Sequence, residues 1–154
     1  SYVLERAMKH KGTAFVEIYQ NCLIFNDKTF EPVTGRDTRD DRMVYLEDGK
    51  PLIFGKDNDK AVRLKGIQPE VVSTVEAPPE SLLVHNEKDP NTHYAYLLTQ
   101  MEYPEMPVPF GVFRVVERPT YDELMETQVQ QSIQEKGPGD LKKLIHGSNT
   151  WTVR

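Results

Sequence analysis

The amino-acid sequence predicts a mixed α/β fold, and three observations support this prediction. Apolar residues recur at helical spacing over residues 3–8, Gly12 follows, and a β-branched and aromatic run occupies residues 14–19. Short strand-like runs separated by turn signals fill residues 43–75. Two longer helical patterns follow after residue 89. Helix, tight turn, strand and polar loop, in the order of the first 27 residues, make half of an α/β crossover unit.

The amino-terminal unit leads directly to the only cysteine in the chain. Gly12 is typical of a helix end, and Ala14–Tyr19 is predicted as a strand. Gln20 and Asn21 then precede Cys22, which would lie at the carboxyl end of that strand, where open α/β sheets bind ligands. Two interpretations remain from the residues alone. Cys22 is either a small buried hydrophobic residue or a ligand.

Residues 28–42 are predicted as a loop that ends in a run of alternating charges. Such an alternation of charges, at residues 36–42, is most often found in a solvated surface loop. The alternative is a docking surface for another subunit. Asp40 and Asp41 are adjacent but lack a third carboxylate at metal-binding spacing. Residues 57–66 superficially match a calcium loop, but the glycine and the closing glutamate of such loops are missing, so this interpretation is rejected.

Residues 43–75 show a sequence pattern typical of strands joined by turns. Strands are predicted at 43–46 and 51–55, and the Asp48-Gly49 turn between them predicts an antiparallel hairpin. The alternating run 61–64 and the β-branched run 71–75 are further strand candidates.

The central segment combines a short apolar run with a capped helix. Residues 82–85 are predicted as a strand or as the entry to a helix. Asp89 as cap and Pro90 at the first helical position predict a helix that extends to about Met101. Three prolines within 104–109 exclude helix there and predict an extended connector.

The carboxyl-terminal third is predicted to be mainly helical. A strand is predicted at 111–116, followed by the longest helix at 119–136. Gly137-Pro138-Gly139 ends that helix, and a short helix is predicted at 140–145. Trp151 is expected to pack onto the core.

Composition excludes several classes of protein. Nineteen basic and twenty-four acidic residues give a net charge of −5, which argues against a nucleic-acid binder. No apolar run approaches the ~20 residues of a membrane span, so no membrane partner is expected. A single cysteine permits no internal disulfide, as is typical of cytoplasmic proteins. The four histidines lack the spacing of a shared site.

Four stretches carry a resemblance to a known family. They are HKGTAFVEIYQNCLIFND (10–27), GKPLIFG (49–55), LLVHNEKDP (82–90) and PVPFGVFRVVERPTYDELMETQV (107–129). In this order they resemble the carboxyl-terminal half of the β subunit of 2-oxoacid:ferredoxin oxidoreductases, with the 2-oxoglutarate type as the best match. The resemblance implies that 1–27 supply the last helix and strand of a doubly wound thiamine-diphosphate-binding domain. Residues 28–154 would then form its α+β carboxyl-terminal extension, which contains the hairpin region.

The resemblance also implies a function for the complete enzyme. Enzymes of this family decarboxylate a 2-oxoacid on thiamine diphosphate and magnesium, form the acyl-CoA from coenzyme A, and pass electrons through a [4Fe-4S] cluster to ferredoxin. An α subunit and an oligomeric assembly are expected as partners. Cys22 matches the fourth cysteine ligand of that cluster, although Asn21 replaces the proline of many relatives. The thiamine motif and the other three cysteines have no counterpart here, so none of these cofactors is expected on this chain alone.

Two alternatives remain open. The chain lacks an initiator methionine and starts within a helical pattern, which predicts a piece of a longer subunit, inactive by itself. A subunit specific for pyruvate, or for several 2-oxoacids, is one alternative. A stand-alone, non-catalytic interaction module is the other.

Overall fold

The computed structural model describes residues 2–151 and residue 153, which fall into two compact units. The first unit contains the residues up to His10 together with Ala14–Val116, and the second contains Lys11–Thr13 together with the residues from Glu117 onward. The first unit holds every strand of the described chain. Parallel and antiparallel strand pairs are both present, which confirms the mixed α/β class. The proposed division after residue 27 concerns the family's longer subunit and stays a prediction.

The helices and strands are short except for one helix. The helices are α1 (Tyr2–Lys9), α2 (Glu31–Thr34), α3 (Arg39–Arg42), α4 (Thr92–Thr99), α5 (Tyr121–Lys136) and α6 (Leu141–His146), with a 3₁₀ turn at Pro79–Ser81. The strands are β1 (Met43–Leu46), β2 (Ile53–Phe54), β3 (Lys60–Lys65), β4 (Gln68–Ser73) and β5 (Val108–Gly111). Within the described residues, no helix is both long enough and apolar enough to cross a bilayer.

The core of the first unit lies between two small sheets and α4. Strands β2, β3 and β4 form an antiparallel sheet in that order, and β1 pairs in parallel with β5. Both sheets, α4 and the residues next to them contribute the buried side chains of one cluster. These are Val44, Leu46, Leu52, Phe54, Val62, Leu98 and Met101. Burial of this apolar surface is the main stabilising contribution to the unit.

The helices agree with the sequence wherever local signals define them. The Thr120 side chain accepts from the backbone N–H of Glu123, whose carboxylate accepts from the N–H of Thr120, so a capping box starts α5. Gly137, with φ of 79°, ends α5, and Asp140 caps α6. Helix α4 starts later than predicted because Asn91, and not Asp89, caps it.

The predicted hairpin at residues 43–55 is wrong, although its turn is present. Gly49 has φ of 75°, and the Lys50 N–H donates to the Glu47 carbonyl at 3.0 Å. The chain after this turn nevertheless pairs with β3, while β1 pairs with β5. Pairing with β5 and β3 buries Val44 and Leu52 in one core, and this distant packing outweighs the local turn signal.

The strand predicted at 111–116 is displaced towards the amino terminus. Strand β5 ends at Gly111, where an added Cβ would lie 2.9 Å from Cβ of Leu46, so only glycine permits this approach to β1. Pro109 is tolerated because β5 has a single neighbour, which leaves one edge of the strand unpaired. The predicted extended connector therefore contains the strand itself.

Three further predictions concern residues 82–85, Trp151 and the loop 28–42. Residues 82–85 follow the strand alternative only as isolated bridges, which join Leu82 to Arg63 and Val84 to Pro51. Trp151 is exposed and not packed on a core, so that prediction is wrong. The predicted loop 28–42 also contains the one-turn helices α2 and α3.

The strand predicted at Ala14–Tyr19 is absent from the described chain. Residues 14–19 have no regular hydrogen-bonded partner, and the Phe15 side chain is 91% exposed. A β-strand is stabilised by its neighbours, and both small sheets of the first unit leave this segment unpaired. Cys22 therefore does not follow a strand end. It follows an exposed segment without regular secondary structure.

Candidate functional site

Cys22 lies in a tight, exposed loop at residues 21–27. The Asn26 N–H donates to the Cys22 carbonyl at 3.0 Å, and the Asn21 side-chain amide donates to the Asp27 carboxylate at 2.6 Å. These two hydrogen bonds close the loop on itself. Cys22 is exposed as a free thiol, so the interpretation of a buried hydrophobic residue is wrong for this chain.

Backbone N–H groups near Cys22 favour the thiolate. Those of Phe25 and, to a smaller extent, of Ile24 and Asn26 lower the pKa of the Cys22 thiol. Thiolates are the ligands that iron–sulfur clusters require, and hydrogen bonds to the ligand sulfur tune such clusters. The loop therefore suits one cluster ligand chemically.

The loop holds one thiol, and the described residues around it form no complete metal site. The described residues contain no group of three or more His, Cys, Asp or Glu side chains that could hold a metal ion. Three further ligands for a four-cysteine cluster would have to come from other polypeptide. The side chains beside Cys22 are apolar and open, with Leu23, Ile24 and Phe25 between 79% and 90% exposed. Such a patch is typical of a surface that another protein element covers.

Contacts between aromatic rings anchor the residues on either side of this loop. The Tyr19 ring stacks on Phe30 with centroids 4.3 Å apart and contacts the edge of Phe110 at 5.2 Å. Phe110 belongs to β5, so these contacts join the segment before Cys22 to the body of the first unit. Sequence reasoning missed this cluster and the Asn21–Asp27 bond. Aromatic residues on both sides of the loop, and Asn21 and Asp27 within it, are the sequence signals that could have indicated these contacts.

The charged segment 36–42 is a solvated surface on which Asp40 and Asp41 each form an ion pair. The Asp41 carboxylate accepts from Lys60 at 2.7 Å, and this bond lowers the pKa of Asp41. The Arg42 guanidinium lies over the Tyr103 ring at 4.5 Å. Asp40 and Asp41 therefore form local ion pairs, with Arg39 and Lys60.

His85 and His93 each hydrogen-bond partners of their own. His85 is buried between the Tyr94 hydroxyl, 3.0 Å from Nδ1, and the Val112 carbonyl, 2.9 Å from Nε2. His93 bonds the Asn91 side chain that caps α4. His10 and His146 lie at helix ends. Each described contact is structural.

Comparison with known proteins identifies one informative relative. The chain is 32% identical, over 98% of its length, to the 2-oxoglutarate oxidoreductase subunit KorB of Mycobacterium tuberculosis. It spans 41% of the length of that relative. No family model and no solved structure matches. The resemblance that the sequence predicts is confirmed: over nearly all of its length, this chain is similar to a subunit of a 2-oxoglutarate oxidoreductase.

Proposed function

We propose that this chain is the carboxyl-terminal part of the β subunit of a 2-oxoglutarate:ferredoxin oxidoreductase. The observation that carries the proposal is the 32% identity to KorB over 98% of the chain. The complete enzyme would decarboxylate 2-oxoglutarate, form the acyl-CoA and reduce ferredoxin. Thiamine diphosphate and magnesium would be held by residues outside this chain, and an α subunit would complete the assembly in the cytoplasm.

The exposed segment 14–19 would serve as a strand in that assembly. Its β-branched and aromatic composition favours a strand, yet it has no partner among the described strands. A strand from the remainder of the subunit would supply the missing hydrogen bonds and cover Phe15 and Ile18, which are 91% and 68% exposed. The doubly wound domain of the family would supply such a neighbour.

Cys22 would be one of the four thiolate ligands of a [4Fe-4S] cluster. The exposed thiol and the backbone N–H groups that lower its pKa support this role. When bound, the cluster supplies one-electron transfer. This chain would hold one sulfur, favour its thiolate form through nearby backbone N–H groups, and offer an apolar patch that excludes water once it is covered.

Two alternatives predict different results. A pyruvate-specific or broad-specificity relative would share the fold and the cluster ligand but differ in the 2-oxoacid consumed. A stand-alone interaction module would have neither cluster nor turnover. The complete coding sequence separates this last alternative, because the enzyme requires three further cysteines and a thiamine-binding motif.

The direct experiment substitutes Cys22 in the complete β subunit, expressed with its α partner. Cys22→Ala is expected to lose the cluster iron and to lower ferredoxin reduction by orders of magnitude, while thiamine diphosphate still binds. Leu23→Ala is the matched control, since it truncates the neighbouring exposed side chain and leaves the thiolate. Turnover with 2-oxoglutarate and pyruvate, measured on the unsubstituted enzyme, identifies the substrate. Full iron and full activity in Cys22→Ala would contradict the ligand role.

A further inference from the structure

Tyr19 packs the segment before Cys22 against the body of the first unit. Its ring stacks on Phe30 at an interplanar angle of 25° and meets Phe110 edge-on at 76°. Stacked and edge-to-face rings at these distances are the favoured aromatic geometries. Phe15 and Ile18, by contrast, point into solvent.

The stack of Tyr19 on Phe30 also brings together the two ends of the segment that contains Cys22. Tyr19 lies three residues before Cys22, and Phe30 lies three residues after Asp27, so the ring stack joins the two ends of residues 19–30. Inside that closure, the Asn21–Asp27 and Asn26–Cys22 hydrogen bonds shape the turn. The exposed side chains of Leu23, Ile24 and Phe25 make no comparable anchor.

We propose that Tyr19 is a positioning residue that fixes the Cys22 sulfur for cluster binding, by clamping the loop to Phe30 and to Phe110 of β5. This inference rests on the proposed function. A metal site tolerates displacements of only about 0.5 Å in its ligands, and an exposed loop needs a rigid support to meet that limit. The clamp uses the aromatic ring, so phenylalanine should replace Tyr19 and alanine should not.

The first test measures loop order in this chain, at a concentration at which the chain is monomeric, and needs no cluster. Backbone ¹⁵N order parameters of residues 22–26 are expected near 0.8 in the unsubstituted chain and in Tyr19→Phe, and below about 0.6 in Tyr19→Ala. Tyr96→Ala is the matched control, because Tyr96 is an exposed tyrosine on α4. Phe30→Leu, which removes the stacked ring from the other side, should reproduce the effect of Tyr19→Ala. An ordered loop in both clamp variants would overturn the proposal.

The second test measures how fast the cluster loses iron to a chelator in the complete β subunit with its α partner. Tyr19→Ala is expected to release iron about tenfold faster than the unsubstituted protein, with Tyr19→Phe restoring the original rate. The Cys22→Ala variant distinguishes the ligand role of Cys22 from the positioning role of Tyr19. Iron retained in Cys22→Ala refutes the ligand role itself. Iron lost in Cys22→Ala but held normally in Tyr19→Ala overturns the positioning role alone.

Discussion

Arg6 and Glu87, 81 positions apart in sequence, form an ion pair with 2.6 Å between Nη2 and Oε1. The Glu87 side chain is only 6% exposed, whereas that of Arg6 is 33% exposed. The backbone of Glu87 also accepts from the Val115 N–H at 2.7 Å and donates to the Asp48 carboxylate at 3.1 Å. Glu87 thereby connects α1, the 47–50 turn and the segment after β5.

Arg6→Ala is expected to destabilise the chain by about 3 kcal/mol. That is the low end of the range for breaking a buried ion pair, because the Arg6 end is partly solvated while Glu87 would remain as a buried, unpaired charge. The measurement is the free energy of unfolding from denaturant titration. Lys9→Ala is the control, since Lys9 pairs with Glu5 on the exposed face of the same helix and should contribute less than about 1 kcal/mol. Equal effects of the two variants would contradict the role of the buried pair.

Tyr94 is expected to weaken the fold at alkaline pH. Burial raises the pKa of Tyr94 from 10.0 to about 12, because the phenolate would be poorly solvated. The unfolded chain therefore loses this proton first. The contribution of Tyr94 is complete below pH ~10 and is lost as the pH rises towards 12.

The measurement compares unfolding free energies at pH 8 and pH 11 with those of Tyr94→Phe. We expect the unsubstituted chain to lose up to about 1 kcal/mol more than the variant over this interval, since partial solvent exposure reduces the effect. At pH 8 the variant should itself be less stable, because it lacks the 3.0 Å hydrogen bond between the Tyr94 hydroxyl and Nδ1 of the buried His85. Tyr96→Phe, at an exposed position, is the control. An identical pH dependence in the two tyrosine variants would refute the burial argument.

The apolar surface from Phe15 to Phe25 is expected to make this chain self-associate. Exposed apolar side chains and a strand-prone segment without a partner strand both favour association. Sedimentation velocity should reveal a concentration-dependent dimer, and Ile24→Lys should weaken it. Ile67→Lys is the matched control, because Ile67 is equally exposed in the turn between β3 and β4. A monomer across a wide concentration range would favour the interaction-module alternative.

Local signals in the sequence defined the helices and the candidate ligand. The capping box at Thr120, the stop at Gly137 and the cap at Asp140 depend on residues within a few positions of one another, so α5 and α6 were predictable. Cys22 was identified from its neighbours in sequence, and the similarity to KorB supports that alignment without testing the ligand role. The shape of its loop was not predictable, because the Tyr19–Phe30–Phe110 cluster joins distant segments.

By itself, the sequence determined which segments prefer helix or strand, the exposed charge of residues 36–42 and the family resemblance. Only the tertiary structure decided which strands pair. Strand β1 joins β5 across more than sixty residues, because burying Val44 and Leu46 in the common core outweighs the nearby Asp48-Gly49 hairpin signal. The same reasoning explains why residues 14–19 remain unpaired. Strand propensity is local, but a strand forms only where a neighbour supplies hydrogen bonds and a covered face, and the described chain supplies neither to this segment.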